Sequence, residues 1–587
     1  MTAPRTGDEK MWFGHPRQLS MLFTSEMWER FGFYGMRALL VLYLVEHFIF
    51  SDRIANGLYG AYTSLVYLTP LIGGLIADQY FGSKKAVRFG AILMSLGYFL
   101  LAFSGGDRAD PYVEVAGQRY EVAVERNGED QTQYVVEGDA RYRISGNEDG
   151  SIALEGAGAG RLPAVLPAGG YEFGAVREDL NVTLLFIALG MVIVGNGYFK
   201  PNISTMVGEL YPKGDPRRDS GFTIFYMGIN LGSLISQAIA PLIVAATGEY
   251  KWGFAFAGAG MLLAALRFQL ASKHLANYGN PPTDRKNRDF LIIVISLLAI
   301  PLSAFLLQNA MESARVAHEV AATGVVAYFL SQPLLGQVMI LVFVASIVGI
   351  PLWSAINATP VERDMMIVAV ALTTFSVVFW TLFEQAGSSL TLFADRNTER
   401  QIGSYLMPAA QTQIFNPLFI VTFAPVFSVM WAWLGKRGLE PSVPVKFAIG
   451  LILVGVGFLA LVFGAQFADE NALVPLFWLA LAYFIHSIAE LFLSPVGLSM
   501  ITKLSIPKLV GMMMGVWFFF TAMAQYVAGV IAQFAGTETV GGEVLNSRAA
   551  LDASISVFQM IGYIGVGVGV ALLVISPILR KGMHGVK

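Results

Sequence analysis

The sequence is poor in several residue types, and each scarcity narrows what the protein can do. None of its 587 residues is a cysteine, which excludes disulfide bonds and thiolate chemistry. Charged residues make up only 14% of the chain, against about 25% in an ordinary soluble protein. The net charge of −3 does not favour a nucleic-acid partner. The phosphate-binding pattern Gly-x4-Gly-Lys-Ser/Thr is also missing, which excludes an ATP-driven mechanism of that kind.

Apolar residues, by contrast, account for 55% of the chain and form long runs along nearly its whole length. Apolar runs of about 18 or more residues are typical of helices that cross a membrane. We therefore predict an all-α integral membrane protein, whose first span also directs the chain to the membrane because no cleavable signal precedes it. The fourteen predicted spans are 19–49, 54–80, 84–104, 180–210, 219–246, 250–271, 289–308, 334–354, 364–394, 408–433, 444–467, 471–500, 508–534 and 552–579.

Lysine and arginine collect in alternate short connections, and this pattern predicts the orientation of the helices. The connections 82–85 and 436–437 and the tail 580–581 are basic, whereas 467–470 is acidic. Connections rich in lysine and arginine stay on the cytoplasmic side of a membrane. We expect a multi-pass protein of the inner (plasma) membrane with both termini in the cytoplasm.

Residues 105–178 interrupt the apolar pattern. This segment has no lysine and roughly twice as many acidic residues as arginines. Polar and apolar residues alternate in 112–115 and 120–124, as they do in strands with one buried face. We predict a small extramembrane β-domain on the outer, periplasmic side. We expect it to be a passive insert, and a docking surface is the alternative.

Helix-breaking residues fall at corresponding places in two halves of the chain. The pair 200–201 in the fourth span corresponds to 494–495 in a later one, and Pro70 in the second span corresponds to 416–417. Two halves with interrupted helices at matching positions are typical of secondary transporters that bind a solute in the middle of the membrane. We divide the chain into 1–104 (helices one to three), 105–178 (β-rich insert), 179–271 (helices four to six), 272–363 (a linker with two extra, lipid-facing helices) and 364–587 (the second six-helix bundle).

Charged residues lie within the first span, and their presence in an otherwise apolar segment requires an explanation. They are Glu26, Glu29, Arg30 and Arg37, and their helical spacing places them on one stripe. Each charge at the centre of a bilayer costs about 3 kcal/mol, so the stripe is expected to face a polar interior. Glu26 and Arg30 are one turn apart and can pair. Arg37 has no acidic residue one turn away, and we interpret it as a ligand contact.

Three more ionisable residues lie inside later spans, namely Lys200, Glu384 and Glu490. Positive charge then predominates in the first half of the chain, while Glu384 and Glu490 of the second half have no cationic partner inside any apolar span. A central cavity with walls of opposite charge suits a zwitterion, with its carboxylate on Arg37 and Lys200 and its ammonium on Glu490. The residues predicted to complete the cavity are Tyr34, Tyr67, Asn230 and Asn416 as hydrogen-bonding groups and Trp380 and Trp517 as apolar walls.

Carboxylates beside salt bridges predict coupling to protons. Protonation of Glu26, Glu29 or Glu384 would release a cationic partner or the ligand site, and Arg30 and Lys200 are the partners released. Each proton that moves down a potential of about 100 mV releases about 2.3 kcal/mol, which can drive accumulation of a solute. The alternative is that the same charges form static ion pairs that only hold the helices together.

At these residues the sequence resembles a known family, the proton-dependent oligopeptide transporters of the major facilitator superfamily. The first-helix pattern Glu26-x-x-Glu29-Arg30-Phe31-x-Phe33-Tyr34-Gly35 carries the resemblance, together with 74–82, 195–202, 225–233, 379–385, 416–417 and 490–495. The helix pair at 289–354 is similar to the one in bacterial members. The likeness covers everything except 105–178. It implies a major facilitator fold, with two six-helix bundles, an extra two-helix hairpin and the β insert.

The resemblance implies a symporter that imports di- and tripeptides with protons by alternating access. It assigns Arg37, Lys200 and Asn230 to the peptide carboxylate and Asn416 and Glu490 to the amino group, and we include Ser494 in the substrate site. It assigns Glu26, Glu29, Arg30, Lys200 and Glu384 to proton coupling and gating.

Two departures from the family pattern matter. Phe33 stands where many members have tyrosine, and residues 51–80 contain no histidine that could relay a proton, so carboxylates would carry it. The alternatives are a family member that carries another small anion or zwitterion such as nitrate, and an intramembrane enzyme. The presence of Glu490 favours peptides over nitrate as the substrate, because nitrate has no amino group for a carboxylate to bind. We expect no enzymatic activity, metal, organic cofactor or nucleic-acid partner; the expected partners are short peptides and the lipid bilayer, with the monomer as the functional unit.

Overall fold

The computed structural model describes residues 11–127, 130–147, 149–157, 161–212, 215, 217–275, 278–282, 288–320, 324–537 and 539–586. Its helices are α1 (Gln18–Leu42), α2 (Asp52–Ile76), α3 (Ser83–Ser104), α4 (Asp179–Glu209), α5 (Arg218–Thr247), α6 (Tyr250–Ala271), α7 (Asp289–Val320), α8 (Val325–Ser331), α9 (Leu334–Asn357), α10 (Pro360–Phe383), α11 (Ser389–Arg396), α12 (Phe415–Lys436), α13 (Val443–Gly464), α14 (Leu476–Leu504), α15 (Val510–Phe534) and α16 (Ser547–Gly582). Short π-helical turns cover Tyr43–His47 and Ala77–Phe81, and 3-10 turns cover Ser272–Leu275, Glu384–Gly387, Ala409–Ile414, Ala465–Phe467 and Pro507–Leu509.

The long apolar runs form helices because a helix satisfies all of its interior backbone groups without water. Polar residues at the ends supply the remaining hydrogen bonds. At the start of α10, Thr359 and Glu362 form a capping box, in which each side chain accepts a hydrogen bond from the backbone of the other residue. At the end of α5, Gly248 adopts a φ of 72°, a left-handed conformation that glycine adopts without strain.

Thirteen helical segments in the described part of the chain are long and apolar enough to cross a membrane. α1 is not one of them, because its charged stripe makes it less apolar. Its 25 residues are nevertheless long enough to span a bilayer, so α1 supplies the fourteenth helix that the sequence predicts. The predicted helical membrane architecture is confirmed.

The helices pack as two bundles with a helix pair beside them. In the first bundle α1 packs on α5 and α6, and α3 packs on α4; in the second, α13 packs on α14 and α16. The bundles meet where α2 contacts α15. Most of the surface of α7 and α9 is exposed, as expected of lipid-facing helices. α7 nevertheless packs on α2 and α4, and α9 on α10 and α15, so the pair contacts both bundles.

The predicted helix interruptions at Pro70, Pro201 and Pro495 are wrong, since α2, α4 and α14 run through these positions without a break. α4 packs closely on α2 one turn before its proline. Pro201 leaves the carbonyl of Gly197 without its helical donor, and that carbonyl lies directly against Gly73 of α2, where a side chain would not fit.

The predicted β insert is present as a seven-stranded antiparallel sheet between α3 and α4. Its strands are β1 (Asp110–Val115), β2 (Gln118–Asn127), β3 (Asp130–Glu137), β4 (Ala140–Gly146), β5 (Ile152–Glu155), β6 (Val165–Leu166) and β7 (Tyr171–Val176), in the spatial order β6-β5-β4-β3-β2-β1-β7. Alternate residues form a separate apolar core that includes Val113, Val122 and Val135. Two-residue strand pairs elsewhere join Met11–Trp12 to His15–Pro16, Thr398–Glu399 to Val474–Pro475, Gln401–Ile402 to Tyr405–Leu406 and Thr539–Val540 to Glu543–Val544.

Candidate functional site

The two bundles are in contact at one end of the membrane-spanning region. We call the end where α1 finishes and α2 begins the distal end, and the end where α1 begins the proximal end. At the distal end, the amide group of Asn56 on α2 donates a 3.0 Å hydrogen bond to the carbonyl of Ala532 on α15. Glycines let the same two helices approach closely, since a Cβ at Gly60 would lie 2.7 Å from the Cα of Gly529. The distal end is therefore closed.

An ion pair between Asp52 and Arg396 also joins the bundles at the distal end. One guanidinium nitrogen of Arg396 lies 2.7 Å from a carboxylate oxygen of Asp52, and another contacts the second oxygen. The backbone N–H of Thr537 donates to Asp52 at 2.9 Å. Both charged side chains are almost fully buried. This pair could not be predicted from the sequence, because both residues lie at the ends of predicted spans and only the fold brings them together.

Arg37 and Glu384 form a second ion pair between the bundles. Nε of Arg37 also donates to the hydroxyl of Tyr59 at 2.6 Å. Arg37, which has no acidic residue one turn away on its own helix, therefore has a carboxylate partner on the other bundle in this conformation. The expectation that Glu384 has no cationic partner inside an apolar span is wrong, because Arg37 lies in the first span. Their pairing depends on a break after α10, because Glu384 begins a 3-10 turn and Gly387 of that turn lies against the Tyr59 hydroxyl.

The charged stripe of α1 forms a buried network with α4. Glu26 and Glu29 have no exposed surface. Lys200 on α4 donates to Glu26 at 2.8 Å, and Nε of Arg30 lies 3.7 Å from the same carboxylate. Arg30 makes its shortest contacts with Glu29, with one guanidinium nitrogen 2.5 Å from Oε1. Asn196, which the sequence analysis did not single out, accepts a further hydrogen bond from Arg30 at 3.2 Å.

Glu490 lies on the opposite bundle and, among the residues that the structure describes, it forms a hydrogen bond with a polar side chain but no ion pair. The amide nitrogen of Asn416 on α12 is 3.2 Å from Oε2 of Glu490 and 3.0 Å from the hydroxyl of Ser487. Asn416 thus orients a carboxylate, which remains able to accept hydrogen bonds from an ammonium group.

Tyr34 lies beside the cations of the first bundle. Its ring centre is 5.9 Å from the guanidinium of Arg30 and 6.0 Å from that of Arg37. Arg37 in turn pairs with Glu384 of the second bundle. One aromatic ring therefore lies beside the contact between a predicted cationic residue of the first bundle and a predicted carboxylate of the second.

The remaining predicted residues surround this centre to different degrees. Asn230 is half-buried on α5 and donates to the carbonyl of Tyr226 at 3.1 Å. Tyr67, Trp380 and Trp517 are each half-buried, and Trp380 stacks edge-on against the rings of its own helix. The side chain of Ser494 lies outside the described residues. Tyr226 was not predicted as a site residue; its side chain is 44% exposed, and its backbone carbonyl accepts the hydrogen bond from Asn230.

The departure at Phe33 also has a structural explanation. The side chain is fully buried, and the guanidinium of Arg30 lies 4.8 Å from the centre of its ring. An aromatic ring stabilises a cation at this distance without a hydroxyl group. Phenylalanine therefore supports Arg30 at a position where a tyrosine hydroxyl would need a further partner.

The chain is similar to a known protein family and to known proteins over most of its length. The family model PTR2, described as the POT family, matches residues 84–545. The chain is 32% identical to the uncharacterized transporter YclF of Bacillus subtilis (strain 168), over 98% of this chain and 97% of the relative. It is 29% identical to dipeptide and tripeptide permease A of Escherichia coli (strain K12), over 97% of this chain and 94% of the relative.

Solved structures agree with these relatives. A crystal structure of a mutant of the peptide transporter POT in complex with alafosfalin superposes with a TM-score of 0.71 at 28% identity, covering 98% of both chains. A crystal structure of tetrameric PepTSo2 matches with a TM-score of 0.69 at 27% identity, covering 96% of this chain and 98% of that one. The likeness thus extends over the whole fold and not only over the charged helices.

Proposed function

The chain belongs to the POT family, and we propose that it imports di- and tripeptides together with protons by alternating access. Peptide transport follows from relatives that are dipeptide and tripeptide permeases and from the solved peptide transporters that share the fold. The protein is accordingly a transporter and not an enzyme. The proton coupling, the roles of single residues and the orientation are our own assignments.

The proposed peptide lies between the two charged walls, beside Tyr34. Glu490, oriented by Asn416, accepts hydrogen bonds from the peptide ammonium group. The carboxylate binds the opposite wall, where Arg37 and Lys200 supply the charge and Asn230 an amide. Tyr67, Trp380, Trp517 and Ser494 complete the pocket. Charge-assisted hydrogen bonds at both ends of the backbone favour short peptides over longer ones, since the distance between the two charges is fixed.

Protons are proposed to act by breaking the ion pairs. In the closed distal end Arg37 is paired with Glu384, and in the α1–α4 network Lys200 is paired with Glu26. A carboxylate that becomes protonated loses most of its attraction for the cation beside it. Protonation of Glu384 would therefore release Arg37 and open the distal end, and protonation of Glu26 or Glu29 would release cations for the peptide carboxylate.

We propose that the distal end faces the outside of the inner (plasma) membrane, with both termini in the cytoplasm. The basic connections at the proximal end support this orientation. Protons are the only coupling agent in this scheme, and no metal or organic cofactor has a role. The monomer contains both walls of the site, which supports the monomer as the transporting unit, with lipid and short peptides as its partners.

The observation that carries the proposal is the ion pair between Arg37 and Glu384, which joins the two bundles beside Tyr34. The test uses proteoliposomes that contain the purified chain and a trapped pH-sensitive dye. With the outside buffer more acidic, addition of dialanine should acidify the lumen faster than the proton leak does. Nitrate and an N-acetylated, C-amidated dipeptide serve as controls and should cause no additional acidification. Dialanine uptake that is unaffected when a protonophore collapses the gradient would contradict proton coupling.

A further inference from the structure

Both ends of the β insert are attached to the first bundle. Arg177, which follows β7, donates to the carbonyl of Phe48 at 2.5 Å and also contacts the carbonyl of Ile49. At the other end of the insert, the backbone N–H of Ala109 donates to the carbonyl of His47 at 3.0 Å. These carbonyls belong to the connection between α1 and α2, so the insert is held to the first bundle at its distal end.

The apolar core of the same sheet contains residues of the second bundle. The connection between α15 and α16, residues 535–546, is called the distal loop below. Its Val540 is fully buried in one apolar cluster with Val113 and Val135 of the sheet, and Leu545 packs against that cluster. The sheet is therefore not a separate domain beside the transporter, because a segment of the opposite bundle completes its core.

The side chain of Arg108 joins the first bundle to the distal loop. It lies between α3 and β1, and its Nε donates to the carbonyl of Glu46 in the first bundle at 2.8 Å. A second guanidinium nitrogen contacts the carbonyl of Gly541 in the distal loop. Gly541 has a φ of +57°, and a Cβ there would lie 2.8 Å from a methyl group of Val124, so the loop lies closely against β2.

From these contacts we infer that the insert is a strap across the distal end, which must detach from the distal loop each time the site opens outwards. Detachment exposes Val540 and Leu545 together with part of the sheet core to water, so the contact stabilises the distally closed conformation. This role differs from the passive one that the sequence alone suggested. The inference rests on the proposed function, because a strap affects transport only if the bundles separate.

The first test fixes the strap in place with a disulfide. Because the chain has no cysteine, Gly146→Cys with Leu545→Cys introduces a single pair. A Cβ at Gly146 would lie 3.0 Å from the Cβ of Leu545 and 2.7 Å from its carbonyl oxygen. Cβ atoms in disulfides are about 3.5–4.5 Å apart, so the strand and the loop must move slightly apart as the bond forms. Oxidation should lower peptide uptake by about tenfold or more and reduction should restore it, because an intact strap prevents opening.

A matched control places the disulfide within the sheet. Glu114→Cys with Glu172→Cys joins residues that face each other on β1 and β7 and does not bridge the bundles. Oxidation of this control should leave uptake unchanged. Full uptake by the completely cross-linked Gly146–Leu545 variant would overturn the strap. If the reduced variants, with intact folding, transport no peptide at all, the proposed function fails instead.

The second test weakens the strap. Val540→Asp places a carboxylate in the apolar core, which is costly unless the core opens. Spin labels at Glu249→Cys and Glu470→Cys, on exposed positions of the two bundles, report the distance between their distal ends. The ratio of open to closed molecules should rise about tenfold or more. Val165→Asp, at a position of the sheet that is 52% exposed, is the control. An unchanged distance distribution in Val540→Asp would overturn the inference.

Discussion

Glu26 occupies a central position among the charged residues of α1. Its Oε1 accepts a hydrogen bond from Lys200 and lies near Arg30, while its buried Oε2 has no hydrogen-bond partner in the part of the chain that the structure describes. An unsatisfied carboxylate oxygen in a buried site is an unfavourable arrangement. Protonation of this carboxylate, which the proposed mechanism requires, would weaken its hold on both cations.

Replacement of Glu26 by glutamine imitates the protonated state permanently. We expect Glu26→Gln to lose uptake driven by a proton gradient by about tenfold or more, since the residue no longer gains and loses a proton. Exchange of labelled for unlabelled peptide, which needs no net proton movement, should continue. Both rates are measured in proteoliposomes. Glu312→Gln, an exposed carboxylate on α7, is the control and should retain both activities. Equal loss of uptake and exchange would contradict a role in coupling.

Glu490 is expected to bind the peptide amino group directly. Glu490→Gln should weaken binding of dialanine by about tenfold or more, because a hydrogen bond to a charged group contributes about 1.5–3 kcal/mol. Binding of N-acetyl-dialanine, which lacks the charge, should change little. Calorimetry of the purified protein measures both affinities. The assignment is wrong if the two ligands lose affinity in parallel.

Single residues show how far the sequence could predict this site. The charges of α1 could be identified as inward-facing because a lipid-facing charge is too costly. The pairing of Arg37 with Glu384 could not be predicted, because 347 residues separate them and helical spacing gives no information about a partner on another bundle. The resemblance to a family assigned roles to both residues but did not predict that they contact each other.

At the scale of elements, most helices follow from their apolar runs, and the exceptions occur where packing decides. The predicted span 364–394 is divided into α10, a 3-10 turn and α11, because the turn at Glu384–Gly387 brings Gly387 against Tyr59. Pro201 has the opposite outcome, since α4 continues through it and packs closely on α2 there. Neither result is visible in the local sequence alone, where glycine and proline both indicate a break.

The contact between α2 and α15 depends on two glycines that face each other. Gly60→Ala places a methyl group 2.7 Å from the Cα of Gly529, so the helices must separate. Overpacking of this kind costs about 1–3 kcal/mol, and we expect the ratio of distally open to closed molecules to rise about tenfold. Distances between the spin labels at 249 and 470 measure the shift.

A second glycine of α15 provides the control for this prediction. A Cβ at Gly515 would meet no atom within 4 Å, and alanine is a better helix former than glycine. Gly515→Ala should therefore leave the distances unchanged. The interpretation of the contact as a distal closure is wrong if the two variants behave alike.

For the whole molecule, composition and hydropathy predict the class and nearly every span, because the bilayer imposes length and polarity on each helix. The sheet could be predicted from alternation within 105–178. The attachment of the sheet to the distal loop could not be predicted, because Val540 lies outside that segment and belongs to a core that forms only in the folded protein. The relative position of the two bundles likewise depends on contacts between residues distant in sequence.

Asp52 and Arg396 form an ion pair between the two bundles. Substitutions that change only their charges therefore test whether this pair holds the distal end closed. Asp52→Asn or Arg396→Gln leaves a buried charge without its partner, a change that costs about 3–5 kcal/mol in buried pairs. Each single variant should open the distal end and reduce peptide uptake by about tenfold or more. The reversed pair Asp52→Arg with Arg396→Asp should recover part of both properties.

Recovery should be incomplete because Asp52 begins α2, where the helix dipole favours an acid, and because the amide of Thr537 donates to its carboxylate. Uptake in proteoliposomes and the spin-label distances measure the effect in all three variants. If the reversed pair were no better than the single changes, the two charges would not act on each other, and the distal end would be held closed by its other contacts.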